Sequence, residues 1–261
     1  MTTRAFLIRG LLAGLLAGLV TFAVGYLVGE PQVESAIAIE ESGAAPAGSD
    51  HHDGAEPAHS HDEGAAAVSR QDQSTWGLAT GTVAVGVAIG GVLALVAASA
   101  MGRVAGLSPA GAAALMSSIG YVAVVLVPFL KYPASPPGVG DADTIGQRTV
   151  LYFAFVVVSV VAAAAGTTLA AKLFSARGIQ DAVLAGAGTY LAVMALASIL
   201  MPAVDEIGDF PGDVLWNFRV ASLITSAVLW AVSGTVLTVL VRRLQVREAA
   251  VQARRDFANS L

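Results

Sequence analysis

The chain contains no cysteine, which excludes a disulfide scaffold and a cysteine zinc module. Charge is also scarce. Only 13% of the 261 residues are Asp, Glu, Lys or Arg, about half the ~25% usual in soluble domains. Set beside 56% hydrophobic residues and 28 glycines, that shortage excludes a soluble globular domain, which could not cover its core with so little polar surface. Positive charge is the scarcer sign: 14 Lys and Arg against 19 Asp and Glu leave a net charge of −5, wrong for a nucleic-acid partner. There is no H-E-x-x-H string, no Walker A loop and no spacing that suggests a nucleophile beside a base. An enzyme is therefore not expected, and any coupling to ATP has to come from another chain. What remains is an integral membrane protein.

Six apolar stretches are long enough to cross about 30 Å of hydrocarbon as helix, which takes about 20 residues. They cover roughly 5–28, 76–100, 110–130, 149–171, 182–201 and 215–241. Lipid cannot satisfy an open backbone, so each reads as helix. The expected fold is an all-α integral membrane protein, a bundle of about six transmembrane helices with five as the alternative, forming one membrane domain over 1–261. Placing the N-terminus inside puts ten of the fourteen cationic residues on the cytoplasmic side and leaves only Arg70, Lys131, Arg148 and Arg219 outside. Both termini are then cytoplasmic, with a basic tail at 242–261, in a multi-pass protein of the cell (inner) membrane. The first span is too long for the apolar core of a signal peptide, so the A-x-A-like string Ala36-Ile37-Ala38 is not expected to be cleaved.

Within the spans, chemistry is sparse and small residues recur at helical spacing: Gly10, Gly14 and Gly18, then Gly25 and Gly29, then Gly86 and Gly90. These read as helix-packing faces, within a bundle or between copies in a homo-oligomer. Tyr26, Tyr121, Trp76, Trp216 and Trp230 suit the membrane interfaces, though not all of them need lie there.

Polar residues collect in three outward loops. The first, 30–75, begins with a segment at 31–41 in which Val33, Ala36, Ile37 and Glu40 share one helical face while Glu30, Glu34 and Glu41 share another. A short amphipathic helix lying at the outer surface is expected. From 42 to 69 the composition turns to Ala, Gly, Pro and acid, and this stretch reads as disordered. All four histidines fall there within eleven residues, as His51 and His52 beside Asp53, then His59 and His61 beside Asp62. Imidazole interleaved with carboxylate is a ligand set for cobalt, nickel or zinc ions; the bland alternative is a solvated acidic linker.

The second loop is rich in Pro and Gly and reads as an extended passage. Thr144 and Gln147 have capping-box spacing, which starts the fourth span there, with Asp141, Asp143 and Arg148 clustered at its N-terminal end. Gly138-Val139-Gly140-Asp141 matches the G-x-G-D string of intramembrane aspartyl proteases, but those need a second aspartate inside the bilayer and no span carries one. The third loop holds Asp205, Glu206, Asp209 and Asp213 ahead of Arg219, which enters an apolar run and is expected to pair with one of them.

Gly29-Glu30-Pro31-Gln32-Val33, Lys131-Tyr132-Pro133, Gly140-Asp141, Asp143-Thr144-Ile145, Met201-Pro202-Ala203-Val204-Asp205-Glu206, Asp209-Phe210-Pro211 and Leu215-Trp216-Asn217-Phe218-Arg219 occur in an order that resembles the CbtA family of predicted cobalt transporter subunits. The resemblance implies a membrane subunit with five or so spans and a small one-span, histidine-bearing CbtB-type partner. It also implies a divalent metal ion as cargo rather than a permanently bound cofactor, and it supplies no catalytic residues. Independently of it, Glu30, Glu34, Glu41, Asp141, Asp143, Asp205 and Glu206 are expected to form the outer mouth of a metal pathway. A membrane subunit that captures metal or scaffolds a complex without transporting is the alternative.

Overall fold

A computed structural model describes residues 2–44, 69–101 and 106–260. They contain six helices long and apolar enough to cross a bilayer: α1 (Thr3–Ser42), α2 (Arg70–Ala100), α3 (Pro109–Lys131), α4 (Ile145–Arg177), α5 (Ile179–Leu200) and α6 (Gly212–Asn259). Among the described residues there is no strand. The all-α expectation and the count of six both hold.

Helices α1, α2, α3 and α6 form a ring in which α1 and α3 each touch both α2 and α6. The closest approach is between α1 and α2, where Gly10, Gly14 and Gly18 meet Gly90, Gly86 and Val83 so tightly that a Cβ at Gly14 would overlap the Gly86 carbonyl. In lipid, water does not drive helices together, and backbone contact through small residues supplies dispersion energy instead. Larger side chains fill the widening ends: Phe6 packs in one cluster with Leu93, Leu237 and Val241. That cluster also places the start of α1 and the far half of α6 at the same end of the bundle.

Helices α4 and α5 form a separate hairpin. Gly178, at φ +85°, makes the turn in a backbone region that a side chain would strain. Gly166 and Gly186 bring the two helices into backbone contact, a pairing the sequence reading missed. The hairpin leans on the ring through α3, where Phe155 and Met194 pack with Val127 and Tyr132.

Two spans carry a π-turn just before a proline. Gly25–Gly29 precedes Pro31, with the Glu30 N–H reaching the Gly25 carbonyl; Val122–Leu126 precedes Pro128, with the Val127 N–H reaching Val122. The wider turn accommodates a ring that would otherwise strike the preceding turn. A helix does cover 31–41, where a short amphipathic one was expected. The segment is helix Glu30–Ala44, continuous with α1, and it packs on α6 with Ala36 fully buried. Gly25 is buried against Leu78 and Thr225 at ordinary contact distance and Gly29 faces open space, so neither makes the backbone contact seen at Gly10, Gly14 and Gly18.

Trp76 and Trp216 are exposed, at 75% and 66%, whereas Trp230 is buried against Tyr121 and Gly120. At 1.5 Å per residue the 48 residues of α6 exceed a hydrocarbon core of about 30 Å by more than twofold. Beyond Val241 the basic tail accordingly continues as helix clear of the bundle, exposed from Val246 to Ser260.

Candidate functional site at the acidic end

The end of the bundle opposite the termini is built from the last turns of α1 and the loops 132–144 and 201–211. α1 presses Glu40 against Gly138, where an added Cβ would come 3.2 Å from that of Glu40. The first loop folds back on itself at Asp141. Its side chain accepts the Asp143 N–H at 2.9 Å, and its carbonyl accepts the Thr144 hydroxyl at 2.9 Å. A 3-10 turn, Ala142–Thr144, then leads into α4. Burial raises the pKa of Tyr132, keeping its hydroxyl a donor, and that hydroxyl binds the Pro202 carbonyl at 2.7 Å and so ties the two loops together.

Glu206 is the pivot. Its Oε2 accepts the Thr144 hydroxyl at 2.8 Å and lies 3.3 Å from Nε of Arg148. The capping-box expectation is thereby corrected in part. α4 does begin after Thr144, but the Thr144 side chain makes no cap: its hydroxyl is shared between the Asp141 carbonyl and Glu206, a partner 62 residues away that local spacing cannot reveal.

Between these segments lies a cavity of about 710 Å³ lined by five carboxylates: Glu40, Asp141, Asp205, Glu206 and Asp209. Ile39, Phe210 and Pro211 supply apolar wall. Among the described residues, no three carboxylates come close enough to hold one metal ion jointly. The lining gives the cavity a surplus of negative charge.

Of the residues singled out from sequence, Asp141, Asp205 and Glu206 meet in this cavity. Asp143 stays in the adjoining turn. Glu30 is paired with Arg70, and Glu34 and Glu41 stand exposed on α1 away from the cavity. His51, His52, Asp53, His59, His61 and Asp62 lie outside the described residues. The sequence reading missed Glu40 and Asp209 as site residues, although Glu40 sits one turn beyond Ala36 on the face that turns out to be buried. The expectation for Arg219 is also corrected. Its Nε donates to the Ala134 carbonyl at 3.3 Å, and none of the nearby acids pairs with it.

The family model for CbtA, described as a probable cobalt transporter subunit, matches residues 3–242. No curated protein and no solved structure matches the chain. The chain belongs to the CbtA family. It is thus a multi-pass membrane protein of a transporter-subunit family, with lipid around its helices and partner proteins implied by the word subunit.

Proposed function

We propose that this chain is the membrane subunit through which a divalent transition-metal cation, cobalt first among them, enters the cell, with the acidic end facing outward from the inner membrane. The five-carboxylate cavity carries this reading. Cations gather there from dilute solution, and the absence of a chelating cluster among the described residues suits cargo that has to leave again. The histidine-rich stretch 42–69 acts as a tethered collector, its neutral imidazoles holding cobalt, nickel or zinc weakly. A one-span CbtB-type subunit, or a second copy of the chain, completes the passage.

Uptake of Co²⁺ into sealed vesicles by the purified protein, with and without its partner, tests the proposal. Asp205→Asn combined with Glu206→Gln should abolish uptake at every metal concentration while leaving protein in the membrane. Normal uptake at normal abundance sinks the site. For orientation, Cys at Ser135 or Gly208 should react with an impermeant reagent in intact cells, and Cys at Gly178 or Asn259 should not. Labelling of Ser135 and Gly178 from the same side refutes the topology.

One observation favours capture or scaffolding without transport. Among the described residues the ring is packed with the backbones of α1 and α2 touching and with Phe6, Leu93, Trp230, Leu237 and Val241 filling its core. Vesicle uptake that stays at background even with the partner present selects that second reading.

A further inference from the structure

A second cavity, of about 560 Å³, opens beside the first, between α4 and α6. Its charges are reversed: Lys131, Arg148 and Arg219 line it against one carboxylate, Glu206, which already faces Arg148. A metal cation is repelled from such a place. The cations are also incompletely used. Lys131 spends one donor on the Ser198 carbonyl, and Arg219 spends only its Nε, leaving its terminal nitrogens unbonded. Arg148 is more fully used: its terminal nitrogens donate to the Val139 and Asp141 carbonyls at 3.4 and 3.1 Å, and only its buried Nε, 3.3 Å from Glu206, lacks a hydrogen bond.

Hydroxyls line the deeper wall. Thr225 and Thr238 of α6 turn back onto the carbonyls of Ala221 and Gly234, as hydroxyls in helices usually do. Ser222 and Ser226, on the cavity side of the same helix, make no hydrogen bond among the described residues. A surplus of positive charge, free N–H donors and free hydroxyls together make an oxyanion receptor. The level fits as well: exposed Trp216, one turn before Arg219, marks the membrane interface. Alongside the opening, Ile145, Val150 and Phe153 of α4 present 55%, 67% and 60% of their surface outward, an apolar track running from the interface along the helix.

We propose that this cleft binds a phosphate oxyanion through Lys131 and Arg219, with Arg148 adding its charge, and with the phosphate of an anionic phospholipid as the ligand whose tail the α4 track accommodates. The site adjoins the acidic cavity across Glu206 and Ile207, and its occupant does not depend on which metal that cavity carries.

The test is native mass spectrometry of the full chain in neutral detergent, titrated with phosphatidylglycerol, a diacylglycerol of the same chains, or inorganic phosphate. Phosphatidylglycerol should be retained and diacylglycerol should not. Lys131→Gln with Arg219→Gln should weaken retention about tenfold or more, since charge-assisted bonds are lost, and Arg219→Lys should keep most of it. Arg243→Gln with Arg247→Gln, at the opposite end, should change nothing. Where the double glutamine variant fails to fold, Ser226→Leu fills the cleft without touching a charge and should expel the lipid on its own. Competition by inorganic phosphate at equal potency upholds the oxyanion site and assigns it to a free ligand. Retention by the Lys131/Arg219 or Ser226 variant equal to the parent, or equal loss in the Arg243/Arg247 control, overturns the proposal.

Discussion

The two cavities at the acidic end lie against each other, share Glu206 and Ile207, and have opposite electrostatic character. The acidic one is walled by the end of α1 and by loops; the basic one is walled by side chains near the ends of the spans. The difference follows from where each sign can be kept. Lys and Arg reach the interface from within an apolar span, anchoring on carbonyls such as Ser198 and Ala134. Carboxylates on shorter stems remain in the solvated loops. Glu206 stands at the partition, neutralising Arg148 on one side and adding to the collected negative charge on the other.

Glu206→Gln breaks that partition and carries the largest effect expected of a single substitution. With the carboxylate gone, Arg148 keeps a side chain only 22% exposed and no counter-charge, a loss of about 1–3 kcal/mol in stability. The basic field then spreads into the acidic cavity. Metal uptake at low concentration should fall about tenfold, a shift of roughly 1.4 kcal/mol, while phosphatidylglycerol retention rises. Adding Arg148→Gln should recover most of the stability, because the unpaired cation leaves with its partner. If both readouts fall together, the cavities are one site.

That pivot marks how far the sequence alone could be read. Six spans, their approximate ends and the existence of small-residue packing faces at Gly10/Gly14/Gly18 and Gly86/Gly90 follow from apolar length and helical spacing, which are local properties; that these two faces meet each other does not. Asp141, Asp205 and Glu206 were legible as a cluster only in the sense that alternating spans put their loops at one end. The use of Thr144 and Arg148 by Glu206, and of Ala134 by Arg219, depends on loops separated by about 60 to 85 residues in sequence. Pro31 misled for another reason. It signals a helix start by its usual preference, but a π-turn can admit it in mid-helix, as the one at Gly25–Gly29 does.

Deleting 42–69 separates supply from passage and ranks second. The stretch contributes no packed core by composition, so the protein should still insert, with uptake normal at high external metal and reduced at low metal. The isolated peptide should lose Co²⁺, Ni²⁺ or Zn²⁺ as its histidines protonate, through about pH 6.5, the ordinary imidazole value. Calorimetry on the peptide, and on one with His51, His52, His59 and His61 replaced by Ala, checks this. Unchanged binding after replacement removes the histidines from the account.

The smallest effect is expected from Glu34→Gln with Glu41→Gln. Both acids are exposed on α1 outside the cavity, so they reach an incoming cation only through water. Exposed charges are screened over about 8 Å at physiological ionic strength, and a diffuse contribution of this kind should change uptake by no more than about twofold at low salt. Raising the salt should erase even that difference, whereas the Asp205/Glu206 variant stays inactive at any ionic strength because its charges belong to the cavity wall. Initial uptake rates measured across a salt series therefore distinguish attraction from lining. A loss in the Glu34/Glu41 variant as deep and as salt-resistant as that of Asp205/Glu206 would move the metal's route onto the face of α1, and the acidic cavity would no longer be its mouth.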